Sequence, residues 1–166
     1  MKKIILWSIS GSDCSGGAGI AADLKTGHML GAEVITIITA NTSQNSQAFV
    51  AVNPTPIAIL EQQYQLLAQD KPPQAIKIGL IANQAQLDWL TRVISELREQ
   101  IPELLVVFDS VGQATTGGHM SSLQPEQLQA FLSCVDVITP NLLEAQRLCR
   151  SSSSVPLCLH QMACSI

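Results

Sequence analysis

A glycine-rich segment near the N-terminus, SISGSDCSGGAGIAADLKT at residues 8–26, is the first part of the sequence whose composition suggests chemistry. Its glycines Gly16, Gly17 and Gly19 stand between an apolar run and a helical pattern. Glycine-rich turns between a strand and a helix can present backbone N–H groups to a phosphate. The segment is therefore a candidate nucleotide- or phosphate-binding turn.

Three interpretations of this turn compete. The P-loop pattern G-x-x-x-x-G-K-[ST] fails, because Gly17 and Ala18 stand where it requires Lys and Ser or Thr. Residues 17–22 satisfy the dinucleotide pattern G-x-G-x-x-A, but the next apolar run ends without the acid that would hold a ribose. The third interpretation is a tight turn whose glycines serve only positive φ angles and close helix packing.

Polar residues that could do chemistry recur later in the chain. Asn141 and Glu144 have the spacing of a helix capping box, and a helix N-terminus also suits a phosphate group. Asp109 follows an apolar run, which places it at a strand end, where open α/β sheets bind their ligands. These residues predict a second polar site, with helix capping as its structural alternative.

The elements that must position these residues alternate along the chain. Apolar, β-branched runs occupy residues 4–9, 34–39, 75–78, 104–108 and 135–139, and helical patterns occupy 20–30, 56–68, 84–99 and 125–132. Nearly continuous apolar runs are typical of strands buried on both faces of a parallel sheet. The sequence predicts a doubly wound, mostly parallel α/β sheet with helices on both faces, and a loop with a short strand at 43–53.

Composition and charge exclude several classes of function. With 166 residues, 46% of them hydrophobic, the chain has the length of one domain with a sizeable core. The formal net charge of −4 and the lack of a Lys/Arg cluster argue against a nucleic-acid partner. No apolar stretch approaches the roughly 20 residues of a membrane helix, and the N-terminal apolar run is too short for a signal peptide. We therefore expect a cytoplasmic protein with no membrane partner.

Five sequence blocks, in order along residues 4–149, resemble one family. They are SGSDCSGGAGIAADLKT, ITANTSQN, AIKIGLIAN, VVFDSV and VITPNLLEA. This set closely resembles the hydroxymethylpyrimidine and phosphomethylpyrimidine kinases of thiamine biosynthesis, members of the ribokinase-like superfamily. The resemblance implies ATP-dependent phosphorylation of 4-amino-5-hydroxymethyl-2-methylpyrimidine or its monophosphate, with ATP and Mg²⁺ as cofactors. A homodimer is common in this family.

The resemblance also implies residue roles on the pyrimidine. Family members place an acid and a glutamine on this ring at the positions of Asp23 and Gln44. A carboxylate only accepts hydrogen bonds and an amide both donates and accepts, which suits an aminopyrimidine edge. Gly11 and Gly79 would let the backbone approach the flat ring, and Val111 matches a position that packs on it. We expect Asp23 and Gln44 to converge on one cavity beside the two glycines. The structural alternatives are an early-helix acid and an ordinary loop glutamine.

The same resemblance assigns the second polar site to phosphate and metal. The pair Asn141 and Glu144 matches the N-x-x-E motif at the phosphate and magnesium site of ribokinase-like kinases, where the Glu acts on Mg²⁺, often through water. Asp109 is expected to face the same crevice. Asn141, Glu144 and Asp109 are therefore the predicted cofactor-binding residues.

The sequence departs from the family in its C-terminal part. The family's glycine-rich G-T-G anion hole has no counterpart here, so we expect a C-terminally incomplete ribokinase-like domain at residues 1–149 and an atypical, disordered tail at 150–166. A non-catalytic pyrimidine-binding module and a pyridoxal-type kinase remain alternatives.

A second departure from the family lies in the first helical pattern. Gly27 replaces a bulky apolar residue, and glycine inside a helix costs roughly 1 kcal/mol.

Overall fold

The computed structural model describes residues 3–111 and 120–151, and within them the chain forms one sheet with helices packed on it. The strands are β1 (Ile5–Asp13), β2 (Glu33–Gln44), β3 (Phe49–Pro54), β4 (Ala75–Ile78), β5 (Leu105–Phe108) and β6 (Val137–Ile138). The helices are α1 (Gly19–Met29), α2 (Ile57–Asp70), α3 (Gln84–Gln100), α4 (Gln129–Leu132) and α5 (Leu142–Ser151), and a 3-10 turn at Pro125–Leu128 precedes α4. The tail predicted at 150–166 falls almost wholly outside the described residues.

The strand order is β3-β2-β1-β4-β5-β6. Every pairing is parallel except that of β3, which runs antiparallel to β2 at the edge of the sheet. The predicted doubly wound, mostly parallel sheet is confirmed, and the short strand expected within 43–53 is β3, which extends to Pro54. The loop is shorter than expected, because Ser43 and Gln44 belong to β2. Because the order reverses beside β1, a crevice is expected outside the carboxyl ends of β1 and its neighbours.

The two faces of β1 differ in polarity. Trp7 and Ile9 are fully buried on the face covered by α2 and α3, within the main apolar core. Successive strand residues point to opposite faces, so Ser8 and Ser10 lie beneath α1, where they are also buried. The strand is thus buried on both sides, as predicted, although one of those sides is polar.

Helix α3 follows the apolar stripe predicted from the sequence. Leu87, Leu90, Ile94 and Leu97 are all buried against the sheet. The Asn83 side chain caps the first turn by accepting a hydrogen bond from the backbone of α3. The period of 3.6 residues is therefore sufficient to define the buried face of this helix.

A buried amide ties the start of α3 to two other elements. Gln86 is fully buried, and its Oε1 accepts a hydrogen bond from the Ala82 N–H at 3.0 Å. Its Nε2 donates to the carbonyl oxygens of Thr39 at 2.7 Å and Thr55 at 3.1 Å. One side chain thus satisfies three backbone groups from β2, the segment before α2 and the loop before α3.

The close approach of α1 to β2 explains Gly27. A Cβ atom at this position would lie 2.3 Å from Cγ2 of Val34, a buried β-branched side chain with little rotamer freedom. Helix α1 can approach the sheet this closely because residue 27 has no side chain. The glycine that looks unfavourable by helix propensity is therefore required by packing.

We expect Gly27→Ala to destabilise the protein by about 1–3 kcal/mol through overpacking, although alanine is the better helix former. Urea unfolding of the variant measures the change. In a Val34→Ala background, Gly27→Ala should lower the free energy of unfolding by less than it does in the parent protein. The reason is that Val34→Ala removes the methyl group with which the new Cβ would clash. A Gly27→Ala protein as stable as the parent would contradict the packing explanation.

Candidate functional site

Two cavities lie at the carboxyl ends of the strands within the described part of the chain. The glycine-loop cavity, of about 420 Å³, is bounded by the ends of β1 and β2 and by the turn before α1. The capping-box cavity, of about 390 Å³, is bounded by the ends of β4 and β5 and by α5. Val111 borders both cavities, so they are neighbours at the predicted crevice. The glycine-loop cavity is lined by Ser10, Gly11, Asp13, Ser15, Gly17, Ala18, Gly19, Thr42, Gln44, Asn45, Ser46, Leu80, Val111 and Met120.

Asp13 organises the glycine-rich turn. Its Oδ1 accepts a hydrogen bond from the Ser15 N–H at 2.9 Å, and its Oδ2 accepts from the N–H groups of Gly17 and Ala18, both at 3.0 Å. Gly19 adopts φ +55°, and a Cβ there would lie 2.1 Å from the carbonyl oxygen of Gly11. The turn therefore directs three of its backbone donors at its own carboxylate, which favours the tight-turn interpretation over a P-loop.

Asp13 was not among the residues predicted for the site. Burial raises the pKa of its carboxyl, but the hydrogen bonds from Ser15 and Gly17 outweigh burial and hold the pKa below its ordinary value of 3.8. The sequence did contain a signal for this role: Asp13 stands at a strand end, two residues before Ser15 in a glycine-rich turn. Asp side chains commonly accept hydrogen bonds from backbone N–H groups about two residues further along the chain.

We expect Asp13→Ala to lower the free energy of unfolding by about 2 kcal/mol at pH 7, since the charged acceptor serves several donors. The lowered folded-state pKa means that this contribution is complete above pH 3.8 and is lost as the pH falls through the folded pKa below that value. Urea unfolding at pH 7, 5 and 3 should show the difference between parent and variant narrowing only at pH 3. Asp70→Ala, at an exposed carboxylate on α2, is the control, and a pH-independent difference for Asp13→Ala would refute the account.

Gly11 and Gly79 lie in different cavities. Gly11 lines the glycine-loop cavity, and a Cβ there would lie 2.8 Å from Cδ2 of Leu80. Gly79 lines the capping-box cavity, and a Cβ there would lie 2.1 Å from Oγ of Ser10. Contacts inside the protein therefore already account for Gly79, and its predicted approach to a ring stays a prediction.

The expectation that Asp23 shares a cavity with Gln44 needs correction. Gln44 lines the glycine-loop cavity, whereas Asp23 lines neither cavity. The Asp23 carboxylate accepts a hydrogen bond from Ser8 Oγ at 2.5 Å and lies 3.1 Å from Lys77 Nζ. The physical reason is the direction of α1, which runs back over the sheet and places Asp23 above Ser8 in the body of β1.

Lys77 links Asp23 to Asp109. Its Nζ lies 3.1 Å from Oδ2 of Asp109, and the Thr139 hydroxyl donates to the other Asp109 oxygen at 3.3 Å. Asp109 thus stands at the end of β5, as predicted, with a lysine already beside it. Lys77 was not among the predicted site residues, although a lysine inside the otherwise apolar β4 is a signal for a charge that has a partner.

The capping box that was the structural alternative for Asn141 and Glu144 is present, and their role in binding a cofactor stays a prediction. Asn141 Oδ1 accepts from the Glu144 N–H at 3.0 Å, and Glu144 Oε2 accepts from the Asn141 N–H at 2.9 Å. The hydroxyl of Ser110 also donates to Glu144 Oε2, at 3.3 Å. Glu144 lines the capping-box cavity, so its carboxylate both caps α5 and borders the crevice.

The described residues do not form an all-protein metal cage, and Glu144 is the carboxylate at the wall of the capping-box cavity. Among residues 3–111 and 120–151, no group of three or more His, Cys, Asp or Glu side chains could hold a metal. Mg²⁺ usually takes one or two carboxylates, with waters and substrate phosphates completing its shell. Glu144 at a cavity wall supplies one oxygen donor of this kind.

Solved structures identify the class of fold. The phosphomethylpyrimidine kinase of Clostridium difficile 630 aligns with a TM-score of 0.78 and 28% identity, over 96% of this chain and 70% of that one. The pyridoxal kinase of Staphylococcus aureus in complex with AMP-PCP aligns with a TM-score of 0.75 and 25% identity, over 99% of this chain and 59% of that one. The fold is thus that of the ribokinase-like vitamin kinases.

Sequence comparison then identifies the family. The phosphomethylpyrimidine kinase profile matches residues 13–165, and the chain belongs to this family. The hydroxymethylpyrimidine/phosphomethylpyrimidine kinase of Aquifex aeolicus (strain VF5) is 32% identical over 148 residues, covering 88% of this chain and 56% of the relative. The enzyme of the same name from Haemophilus influenzae (strain ATCC 51907 / DSM 11121 / KW20 / Rd) is 34% identical over 150 residues, covering 89% and 54%. The chain therefore spans little more than half the length of these curated relatives.

No helix in the described part of the chain is long and apolar enough to cross a membrane.

Proposed function

We propose that the chain is the pyrimidine-binding part of a kinase that transfers a phosphoryl group from ATP to 4-amino-5-hydroxymethyl-2-methylpyrimidine or its monophosphate. The observation that carries this proposal is the glycine-loop cavity. In a chain of the phosphomethylpyrimidine kinase family, it lies at the strand ends and is lined by Gln44. The relatives from Aquifex aeolicus and Haemophilus influenzae carry the corresponding name.

Different residues at the wall of the glycine-loop cavity would contact different parts of the ring. The Gln44 amide supplies a donor and an acceptor for the polar edge of the ring. Val111 and Leu80 supply apolar surface, and Gly11 supplies backbone at the cavity floor. Asp23 acts at a distance in this scheme, because it holds Lys77 and through it orients Asp109 rather than touching the ring.

The neighbouring capping-box cavity is the proposed place of phosphate and metal. The N-terminus of α5 favours an anion, and Glu144, which lines this cavity, is the carboxylate that would hold Mg²⁺. Asp109 lines neither cavity, and its role in binding the cofactor stays a prediction. When bound, MgATP supplies the phosphoryl group and charge neutralisation. Asn141 keeps Glu144 in place by accepting its N–H. The cytoplasmic location and the homodimer implied by the family resemblance stay predictions.

Pyridoxal is the competing substrate class, because structures of the Staphylococcus aureus pyridoxal kinase share the fold at TM-scores near that of the pyrimidine kinase. Calorimetry with both ligands distinguishes them. We expect the aminopyrimidine to bind more tightly than pyridoxal, and tighter binding of pyridoxal would overturn the substrate assignment.

The same experiment tests Gln44. Gln44→Ala is expected to weaken binding of the aminopyrimidine about tenfold, the effect of losing hydrogen bonds at the ring edge. Gln47→Ala is the matched control, because Gln47 is exposed in the same β2–β3 connection and does not line the cavity. Equal affinities of the Gln44 and Gln47 variants would show that the ring binds elsewhere.

A further inference from the structure

Asp13 and Gln44 face the same cavity from neighbouring strands. Asp13 is the last residue of β1, and its partner in the parallel ladder is Thr42 of β2. Gln44 stands two residues beyond Thr42, hence on the same side of β2. All three residues line the glycine-loop cavity. The Gln44 side chain is therefore diagonal to Asp13, within reach of a long side chain.

The chemistry of a carboxylate determines how these two side chains can meet. An ionised carboxylate only accepts hydrogen bonds, whereas the Gln44 amide has a donor end, Nε2, and an acceptor end, Oε1. The Gln44 side chain also helps to lower the pKa of Asp13, an effect that its donor end has on a nearby carboxylate and its acceptor end does not. With the amide flipped, Oε1 would oppose the carboxylate oxygens and repel them.

Asp13 is itself held firmly. Three backbone N–H groups of the glycine-rich turn, those of Ser15, Gly17 and Ala18, bond its two oxygens, and the Ser15 hydroxyl approaches both. The carboxylate is buried at the base of the turn. Its position is therefore set by backbone, and it can serve as a fixed reference for a side chain that would otherwise rotate.

We propose that Asp13 is a positioning residue that holds Gln44 Nε2 toward β1 and turns Oε1 toward the bound ring, making the cavity selective for a ring edge that carries an amino group. The inference rests on the proposed function and adds the origin of its specificity. An exocyclic amino group donates to Oε1, and the second Nε2 proton can reach the adjacent ring nitrogen. A 4-oxo ring presents an acceptor where the amide also presents one, and it loses affinity.

The test compares two pyrimidines that differ only at this edge. Dissociation constants are measured by calorimetry for the 4-amino compound, 4-amino-5-hydroxymethyl-2-methylpyrimidine, and for its 4-oxo analogue. In the parent protein we expect the 4-amino compound to bind at least about tenfold more tightly. In Asp13→Asn the residue can donate to Oε1, so the amide can flip, and the ratio should fall at least about fivefold. A loss of loop structure alone would weaken both ligands and leave the ratio unchanged.

Two further variants isolate the coupling. Ser15→Ala removes one hydroxyl that bonds Asp13 and leaves Gln44 intact, and its ratio should stay within about twofold of the parent. In a Gln44→Met background, Asp13→Asn should no longer change the ratio. A parent-like ratio in folded Asp13→Asn, or an equal fall in Ser15→Ala, would overturn the proposal. If the parent binds neither pyrimidine, the proposed function fails instead.

Should Asp13→Asn not fold, NMR of the ligand-free parent decides the question. The Gln44 side-chain amide is assigned by its disappearance in Gln44→Met. One Nε2 proton is expected to be shifted and protected from exchange by the hydrogen bond to Asp13. Two Nε2 protons that both exchange freely with solvent would refute the proposed orientation.

Discussion

A polypeptide of these 166 residues is expected to turn over at least about a thousandfold more slowly than a full-length relative when supplied with hydroxymethylpyrimidine and magnesium-ATP. Phosphoryl transfer depends almost wholly on positioning and on stabilisation of the charge on the transferring group. The G-T-G motif that serves this purpose in the family has no counterpart in these residues.

The magnitude follows from what a single donor contributes. Removing one preorganised donor to a developing negative charge commonly lowers the rate by 10² to about 10³. Here the whole element is absent from the sequence, while the glycine-loop cavity and the capping box are present. We therefore expect binding of the pyrimidine to persist where turnover does not.

ADP release, measured beside an intact relative, is the assay, and Gln44→Ala is the control for turnover at the proposed site. Residual activity that is unchanged in this control belongs to a contaminating kinase. Robust activity that disappears in the control would refute the prediction and mean that other residues of this chain supply the missing donors.

The largest effect on stability is expected at Gln86. Gln86→Leu keeps the approximate volume of the side chain but removes the hydrogen-bond partner of the Ala82 N–H and of the Thr55 carbonyl, whereas the Thr39 carbonyl keeps the hydrogen bond from the Thr55 N–H. Unsatisfied buried polar groups cost about 1–3 kcal/mol each, so we expect a loss of about 3–5 kcal/mol. Since domains are stable by only about 5–15 kcal/mol, the variant should be close to unfolding at 37 °C.

Urea unfolding gives the comparison for this variant. Gln65→Leu is the matched control, because Gln65 is exposed on α2 and bonds only Glu61 one turn away, a pair worth a few tenths of a kcal/mol, roughly 0.2–0.5. The urea concentration at the midpoint of unfolding should fall strongly for Gln86→Leu and hardly at all for Gln65→Leu. The dependence of the free energy of unfolding on urea concentration should be similar in both variants. Similar midpoints for the two variants would show that the buried amide does not link the elements as described.

Local patterns in the sequence gave correct predictions wherever the interaction is itself local. The apolar stripe of α3 needs only the period of a helix, and Leu90 and Ile94 are fully buried as expected. The capping box at Asn141 and Glu144, the structural alternative for this pair, spans four residues and forms as its spacing indicates. The alternation of strand and helix likewise predicted a doubly wound sheet, and the ordered sequence blocks predicted the family.

Partnerships between distant residues could not be predicted in the same way. Asp13 and Asp23 are both acids flanking the same glycine-rich turn, and only the latter was assigned to the ring. The register of β1 with β2 brings Asp13 beside the cavity that Gln44 lines, whereas the return direction of α1 carries Asp23 to Ser8 and Lys77.

Periodicity, capping and ordered motifs act over a few residues at a time, so the elements, the sheet class and the family could be predicted from the printed residues. Which acid lies at the cavity, and why particular glycines are required, follows from tertiary packing instead. Gly27 is unfavourable in an isolated helix, yet its Cβ would lie 2.3 Å from Val34 Cγ2. Such contacts depend on the register of strands and the packing distance of helices, which are properties of the whole fold.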